Sequence, residues 1–173
     1  MHRAVMHEFP VRKHPRWGSY DYSRPGAYFV TTITRDRNPI FGVPTRTGIL
    51  LTDAGHIVHE SWLMVPERFP GVYVDVFVVM PDHVHAIIFR VQTHCRSSNL
   101  SQVVGGTKQR ATRAIACLAH PCHTPIWQRS FHDRIIRNQD GLIRARNYVN
   151  TNPARAWDAA RRSSGRVGGP IPS

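Results

Sequence analysis

Two apolar runs joined by a very short turn constrain the fold of this chain more than any other feature. Residues 72–80 alternate valine with aromatic and polar residues, and residues 83–91 are rich in valine, isoleucine and phenylalanine. Both compositions are typical of β-strands. Because only Pro81-Asp82 lies between the runs, we predict an antiparallel hairpin.

The rest of the chain predicts strands and helices that alternate around this hairpin. Before the strand pair we predict a strand over Ala27–Thr34, a short hairpin over 40–51 and a helix from Thr52 or Asp53 to about Glu67. After it we predict a helix from Leu100 to about Leu118, started by Ser97 or Ser98, and then one bent strand or two short strands within 126–136. The last element is a helix from about Gln139 to Thr151, which Asn138 caps and Pro153 ends or kinks. This order favours an α+β, ferredoxin-like antiparallel sheet with helices on one face and an extra C-terminal helix.

The length of 173 residues is typical of one domain with tails. We expect a basic N-terminal arm over 1–25, one domain over 26–160 and a flexible tail over 161–173. No apolar run approaches the ~18 residues of a membrane span, so we expect no membrane association. The odd number of cysteines, 3, favours a reducing cytoplasm. The Cys and His residues within 117–123 have poor spacing for zinc and are more typical of a loop.

The charge balance points to a polyanionic partner, with nucleic acid first. Lys and Arg total 23 against 11 for Asp and Glu, a net charge of +12. Nearly all the cations are arginines, which suit phosphate but also follow from a GC-rich genome. The arm either lies on DNA or is a disordered tail, and Lys108 on the second long helix either contacts a DNA backbone or is solvated. The candidate DNA-binding residues here are Arg12, Lys13, Arg16, Trp17 and Lys108.

A His-x-His pattern opens the second strand of the hairpin. Residues two apart on a strand face the same side, so His83 and His85 present two imidazoles side by side, as a platform for a divalent metal. On the last helix, Asn152 lies one turn beyond Tyr148. Arg144 and Arg146 flank the tyrosine and are further candidate DNA-binding residues, which would hold the DNA backbone in place. A tyrosine nucleophile needs a phosphate whose charge is neutralised, which a metal on the histidines and an amide would provide.

Read together, these stretches resemble a known family. The chain is similar to the REP-associated tyrosine transposases, of the single-tyrosine HUH (His-hydrophobic-His) superfamily. The stretches that carry the resemblance are 20–22, 26–31, 53–55, 66–70, 78–85 (Val-Val-Met-Pro-Asp-His-Val-His), 127–137 (Trp-Gln-Arg-Ser-Phe-His-Asp-Arg-Ile-Ile-Arg) and 148–153 (Tyr-Val-Asn-Thr-Asn-Pro). In this family Asn is commoner than Asp at the position of Asp82.

The resemblance implies a ferredoxin-like fold and metal-dependent cleavage and rejoining of single-stranded DNA at hairpin-forming repeats. It implies that Tyr148 is the nucleophile and forms a 5′-phosphotyrosine. His83, His85 and Asn152 match the metal ligands, with Mg²⁺ or Mn²⁺ as the cation. His132 and Asp133 lie close to the implied active face and are candidates to assist proton transfer.

Three matters stay open at this point. A rolling-circle replication initiator or relaxase-like nickase uses the same histidine platform and a tyrosine, and a non-catalytic structured-DNA-binding protein keeps the same basic fold. The choice between monomer and homodimer is also open. For the enzyme we expect a cytoplasmic, nucleoid-associated location with single-stranded or hairpin DNA as partner.

Overall fold

A computed structural model describes residues 24–91, 98–118 and 125–164 of the chain. The predicted arm over 1–25 thus lies almost wholly outside the described residues, as do residues 165–173. The strands are β1 (Gly26–Ile33), β2 (Gly42–Thr45), β3 (Gly48–Leu51), β4 (Val72–Val79), β5 (His83–Arg90) and β6 (His132–Ile136), and the helices are α1 (Asp53–Leu63), α2 (Val65–Arg68), α3 (Leu100–Ala116) and α4 (Gln139–Ser164).

The predicted ferredoxin-like sheet is confirmed. Four strands pair in the order β4-β5-β1-β6, with every pairing antiparallel, while β2 and β3 form a separate two-stranded hairpin. Residues within 126–136 give one strand, β6, preceded by an isolated bridge between Trp127 and Thr34. The predicted hairpin of β4 and β5 is present, with a register shift between Val74 and Val76.

Successive side chains along each strand point to opposite faces of the sheet, so the strands contribute apolar residues to two separate cores. One face of the sheet packs against α1 and α3, and the opposite face packs against α4. Burial of such apolar side chains contributes roughly 1.5–3 kcal/mol each. The first core includes Tyr28, Val30, Val58, Trp62, Val84, Ile88 and Val103; the second includes Ile87, Ile136, Leu142, Ala145 and Val149.

Helix starts follow local capping chemistry. Thr52 accepts from the backbone N–H of Gly55 at 3.1 Å, and Asn138 accepts from that of Gly141 at 2.9 Å, as the sequence predicts. The predicted first residue of α3, Leu100, is correct, but the residue that caps the helix is Asn99 rather than Ser97 or Ser98, because Asn99 and Gln102 form a capping box there. The helix predicted from 52 to Glu67 is broken at Met64 into α1 and α2.

The predicted end of the last helix at about Thr151 is wrong. α4 continues through Pro153 to Ser164, so residues 161–164 of the expected tail are helical. Proline costs a helix one backbone hydrogen bond, but packing compensates where it is extensive. Here α4 contacts β4 and β5 and also β2 and β3, so the helix is supported beyond the edge of the main sheet. Among the described residues, no helix is long and apolar enough to cross a bilayer.

Candidate functional site

Two histidines on β5 form the centre of the site. His83 and His85 lie on the α4 face of the sheet, with ring centroids 4.6 Å apart and planes at 70°. His85 is buried and His83 is half-buried. The strand alternation that the sequence predicts therefore does place the two imidazoles side by side.

The carboxylate of Asp82 fixes the ring of His83. The distance from Asp82 Oδ1 to His83 Nδ1 is 2.5 Å, and Arg37 Nη1 donates to Asp82 Oδ2 at 3.2 Å. The hydrogen bond from His83 lowers the pKa of Asp82, and Arg37 adds to that effect. An ionised carboxylate only accepts, so Nδ1 of His83 donates this hydrogen bond and Nε2 is the ring nitrogen that it leaves unused.

A threonine on the neighbouring strand holds the second histidine. Thr31 is paired with His85 in the register of β1 and β5, and its Oγ1 lies 2.8 Å from His85 Nδ1. Burial, with the nearby His83, lowers the pKa of His85 to about 3. His85 is therefore neutral at pH 7, which is the form of imidazole that binds metals.

Tyr148 reaches the histidines from α4. Its ring centroid lies 5.1 Å from that of His85 and 5.8 Å from that of Phe29, both in edge-on arrangements. The apolar residues Ala145 and Val149 bury the adjacent face of α4 against the sheet. This packing brings the tyrosine, far downstream in the sequence, onto the histidine platform.

Asn152 lies one helical turn beyond Tyr148 and is part-buried. Its Nδ2 donates to the backbone oxygen of Tyr148 at 3.3 Å. It lies inside α4, because the helix does not end near Thr151 as the sequence predicts. The amide nitrogen is occupied by the backbone, and the amide oxygen is the atom that remains to accept or ligate.

The two candidate assisting residues face opposite sides of the sheet. His132 is paired with Thr31, which is in turn paired with His85, so these three residues lie on the α4 face. Asp133 follows directly on β6 and shares a face with Ile135, which packs on the α1–α3 core. The structure thus brings His132 toward the site and turns Asp133 away.

The predicted DNA-binding residues have unequal surroundings. Arg146 binds both oxygens of Asp75 at 2.7 Å, and Lys108 Nζ donates to the backbone oxygens of Gln128 at 2.6 Å and Ser130 at 3.1 Å. Arg144 is exposed on α4. The remaining candidates, Arg12, Lys13, Arg16 and Trp17, lie outside the described residues.

Several residues of the site have no role in the sequence analysis. The role of Thr31 depends on strand register, which a single sequence does not reveal. Asp82 is next to His83 in the sequence, and a carboxylate beside a histidine is a signal in itself. Arg155 lies over the ring of Tyr148, and its helical spacing to the tyrosine is visible only if α4 continues past Pro153.

The donor set limits what this site can bind. The described residues contain no group of three or more His, Cys, Asp and Glu side chains that could hold a metal ion. Two imidazoles and an amide oxygen would leave positions on a bound cation for substrate oxygens. A phenol beside such a set would be available for attack on a phosphate.

No family model matches the chain. An uncharacterized protein of Haemophilus influenzae is 27% identical over 158 residues, which is 82% of this chain and 88% of that protein. A second protein of that species, described as a REP-associated tyrosine transposase, is 23% identical over 143 residues, which is 78% of this chain and 74% of its own. The solved structure of a REP-associated tyrosine transposase bound to a REP hairpin superposes with a TM-score of 0.59 and 23% identity, covering 85% of this chain and 76% of that one. The resemblance that the motifs indicate is confirmed, and the fold is shared.

Proposed function

We propose that this chain is a REP-associated tyrosine transposase that cleaves and rejoins single-stranded DNA at hairpin-forming sequences. A relative and a structural neighbour with that description support the transposase role. The proposed partner is hairpin DNA, because the neighbour is bound to a REP hairpin. The single-tyrosine mechanism and the residues that carry it are our extension.

The observation that carries the proposal is the meeting of His85 and Tyr148. A histidine pair on a central strand and a tyrosine on the last helix are unrelated as separate motifs. Their rings lie 5.1 Å apart in the folded chain. A tyrosine next to two histidines that can carry a cation combines a nucleophile with a group that neutralises the charge of a phosphodiester.

The residues of the site fit a divalent cation. His83, His85 and the amide oxygen of Asn152 would hold it, with DNA oxygens in the remaining positions. Imidazole ligands favour Mn²⁺ over Mg²⁺, and oxygen ligands from DNA suit both. When bound, such a cation polarises a phosphoryl oxygen and neutralises part of its charge. Asp82 and Thr31 support this role by holding Nδ1 of each histidine.

The chemistry assigned to Tyr148 is a transesterification. The phenolic oxygen forms a bond to phosphorus, the bond from phosphorus to the 3′-oxygen breaks, and the phenol loses a proton while the 3′-oxygen gains one. The products are a 5′-phosphotyrosine and a free 3′-hydroxyl. Water is not consumed, so a second 3′-hydroxyl reverses the step and joins the strands.

The test is covalent capture of DNA. The full chain is incubated with Mn²⁺ or Mg²⁺ and a library of hairpin oligonucleotides with a randomised unpaired flank, labelled at either end. On a denaturing gel, we expect the label 3′ of the cut to migrate with the protein, and Tyr148→Phe to form no adduct. Tyr73→Phe, an exposed tyrosine of β4, is the matched control and keeps the adduct.

An adduct that persists in Tyr148→Phe would show that Tyr148 is not the nucleophile. The absence of any adduct in the unaltered chain would favour the non-catalytic DNA-binding alternative. Capture of an unpaired oligonucleotide that lacks the hairpin, incubated in parallel with the library, would favour the replication-initiator alternative.

A further inference from the structure

The arginines of α4 differ in whether they form an ion pair with a carboxylate. Arg146 makes a bidentate ion pair with Asp75, both distances being 2.7 Å. None of the ion pairs among the described residues involves Arg155. Arg155 is exposed, so its charge faces solvent and any bound polyanion.

Arg155 lies on the ring of Tyr148. Its Cζ is 5.5 Å from the centroid of that ring, within the range of a cation–π contact. The spacing explains the contact, because Tyr148, Asn152 and Arg155 follow one another along a single face of α4. Long helical side chains lean toward the N-terminus, so Arg155 reaches back to the tyrosine.

A guanidinium in this position keeps its donors available. The cation–π contact uses the charge of Arg155 but none of its five N–H groups. Guanidinium groups bind phosphate through two parallel hydrogen bonds. The structure therefore holds a phosphate-binding group directly beside the phenol.

We propose that Arg155 binds the non-bridging oxygens of the phosphate that Tyr148 attacks. The inference rests on the proposed function, since it assigns a partner group to the same reaction. In that reaction the phenolic oxygen bonds to phosphorus and the 3′-oxygen departs with a proton. Arg155 holds the phosphate at the phenol and offsets the charge that builds on its oxygens in the transition state. Since it touches the substrate, Arg155 is a catalytic residue.

Two measurements on the full chain test this role. The first is the single-turnover rate of adduct formation with Mn²⁺ and a hairpin that the library experiment captured. We expect Arg155→Gln to lower the rate about a hundredfold, the typical effect of removing one such donor. Arg155→Lys keeps the charge without the fork and is expected to lie between the two. Arg161→Gln is the matched control, because Arg161 is exposed on α4 and lies on another face.

The second measurement is binding without chemistry. In a Tyr148→Phe background, the salt dependence of hairpin affinity reports the number of phosphates neutralised. Loss of one contact on a single-stranded flank is expected to reduce the slope of log K against log salt by about 0.7. Arg155→Gln is expected to show this change, with an unaltered urea unfolding curve.

The outcomes separate this inference from the proposed function. A wild-type rate in Arg155→Gln together with an unchanged salt slope overturns the role of Arg155 and leaves Tyr148 untouched. The absence of any adduct with the unaltered chain overturns the proposed function instead, and an adduct that persists in Tyr148→Phe shows that Tyr148 is not the nucleophile on which both depend.

Discussion

Asp82 accepts a hydrogen bond from the ring of His83, and this contact determines which nitrogen of the histidine faces the site. Arg37 holds the other carboxylate oxygen at 3.2 Å. Arg37 and the preceding Asp36 both have left-handed backbone angles, φ 53° and 55°, which are unfavourable for non-glycine residues. The turn at the end of β1 therefore accepts strain that brings Arg37 to the carboxylate.

Asp82→Ala is expected to weaken the affinity of the site for its metal ion. Loss of the hydrogen-bond partner of a metal-binding histidine typically lowers metal affinity by about 10- to 100-fold. Asp82→Asn keeps an acceptor for His83 Nδ1, so the effect is expected to be much smaller. The measurement is the Mn²⁺ concentration that gives half-maximal adduct formation. An unchanged Mn²⁺ requirement in Asp82→Ala would show that the carboxylate does not support the ligand.

His83→Ala is expected to abolish cleavage while hairpin binding stays largely intact. Binding rests on contacts between basic residues and phosphates, to which a half-buried imidazole adds little. His56→Ala is the matched control, since His56 is exposed on α1, on the opposite side of the sheet. Adduct formation and gel-shift affinity are measured in parallel for both variants. Normal nicking by His83→Ala in Mg²⁺ or Mn²⁺ would contradict the metal role of this residue.

DNA affinity is expected to fall steeply with salt. With a net charge of +12 the chain is expected to neutralise several phosphates, and log K falls by about 0.7–0.9 per phosphate for each unit of log salt. A hairpin with an unpaired flank is expected to bind more tightly than a duplex of equal length. Titrations at several salt concentrations compare the two. Equal affinities throughout would identify a general basic binder without structure-specific recognition.

Local patterns predicted the sheet and the histidine pair, because strand alternation and turn chemistry act over a few residues. They failed at Pro153, where contacts of α4 with β2 and β3 outweigh the local preference of proline to end a helix. The same failure hid Arg155, whose spacing to Tyr148 has meaning only on a continuous helix. Thr31 was missed because its contact with His85 follows from register between distant strands.

Two glycines are expected to respond oppositely to alanine. A Cβ at Gly55 would collide with the backbone oxygen of Phe41, so Gly55→Ala is expected to destabilise the chain by about 1–3 kcal/mol. A Cβ at Gly105, in α3, meets nothing within 4 Å. Gly105→Ala is therefore expected to stabilise by roughly 0.5–1 kcal/mol. Urea unfolding gives both values, and a neutral result at Gly55 would show that α1 shifts away from Phe41 at little cost.

Lys108 is expected to act on stability rather than on DNA. Its ammonium is turned onto the backbone oxygens of Gln128 and Ser130, and it lies 5.8 Å from the ring of Trp127. This places α3 against the segment that leads into β6. Lys108→Met removes both hydrogen bonds, so we expect lower stability with an unchanged salt slope of hairpin binding. If Lys108→Met instead reduced the slope of log K against log salt as Arg155→Gln is expected to, Lys108 would be a DNA-binding residue.

The pH dependence of unfolding gives a second test of Lys108. Burial lowers its pKa from 10.5 to about 8 in the folded chain. Below pH 8 the folded and unfolded chains both carry the proton, and its contribution is constant. Between pH 8 and 10.5 the unfolded chain binds more protons, so the free energy of unfolding gains a contribution that rises with pH. Lys108→Met lacks this contribution. Urea curves at pH 7 to 10 give the free energy of unfolding of the unaltered chain and of Lys108→Met. We expect the difference between the two values to widen as pH rises. A difference that stays constant over that range would mean that Lys108 is not desolvated.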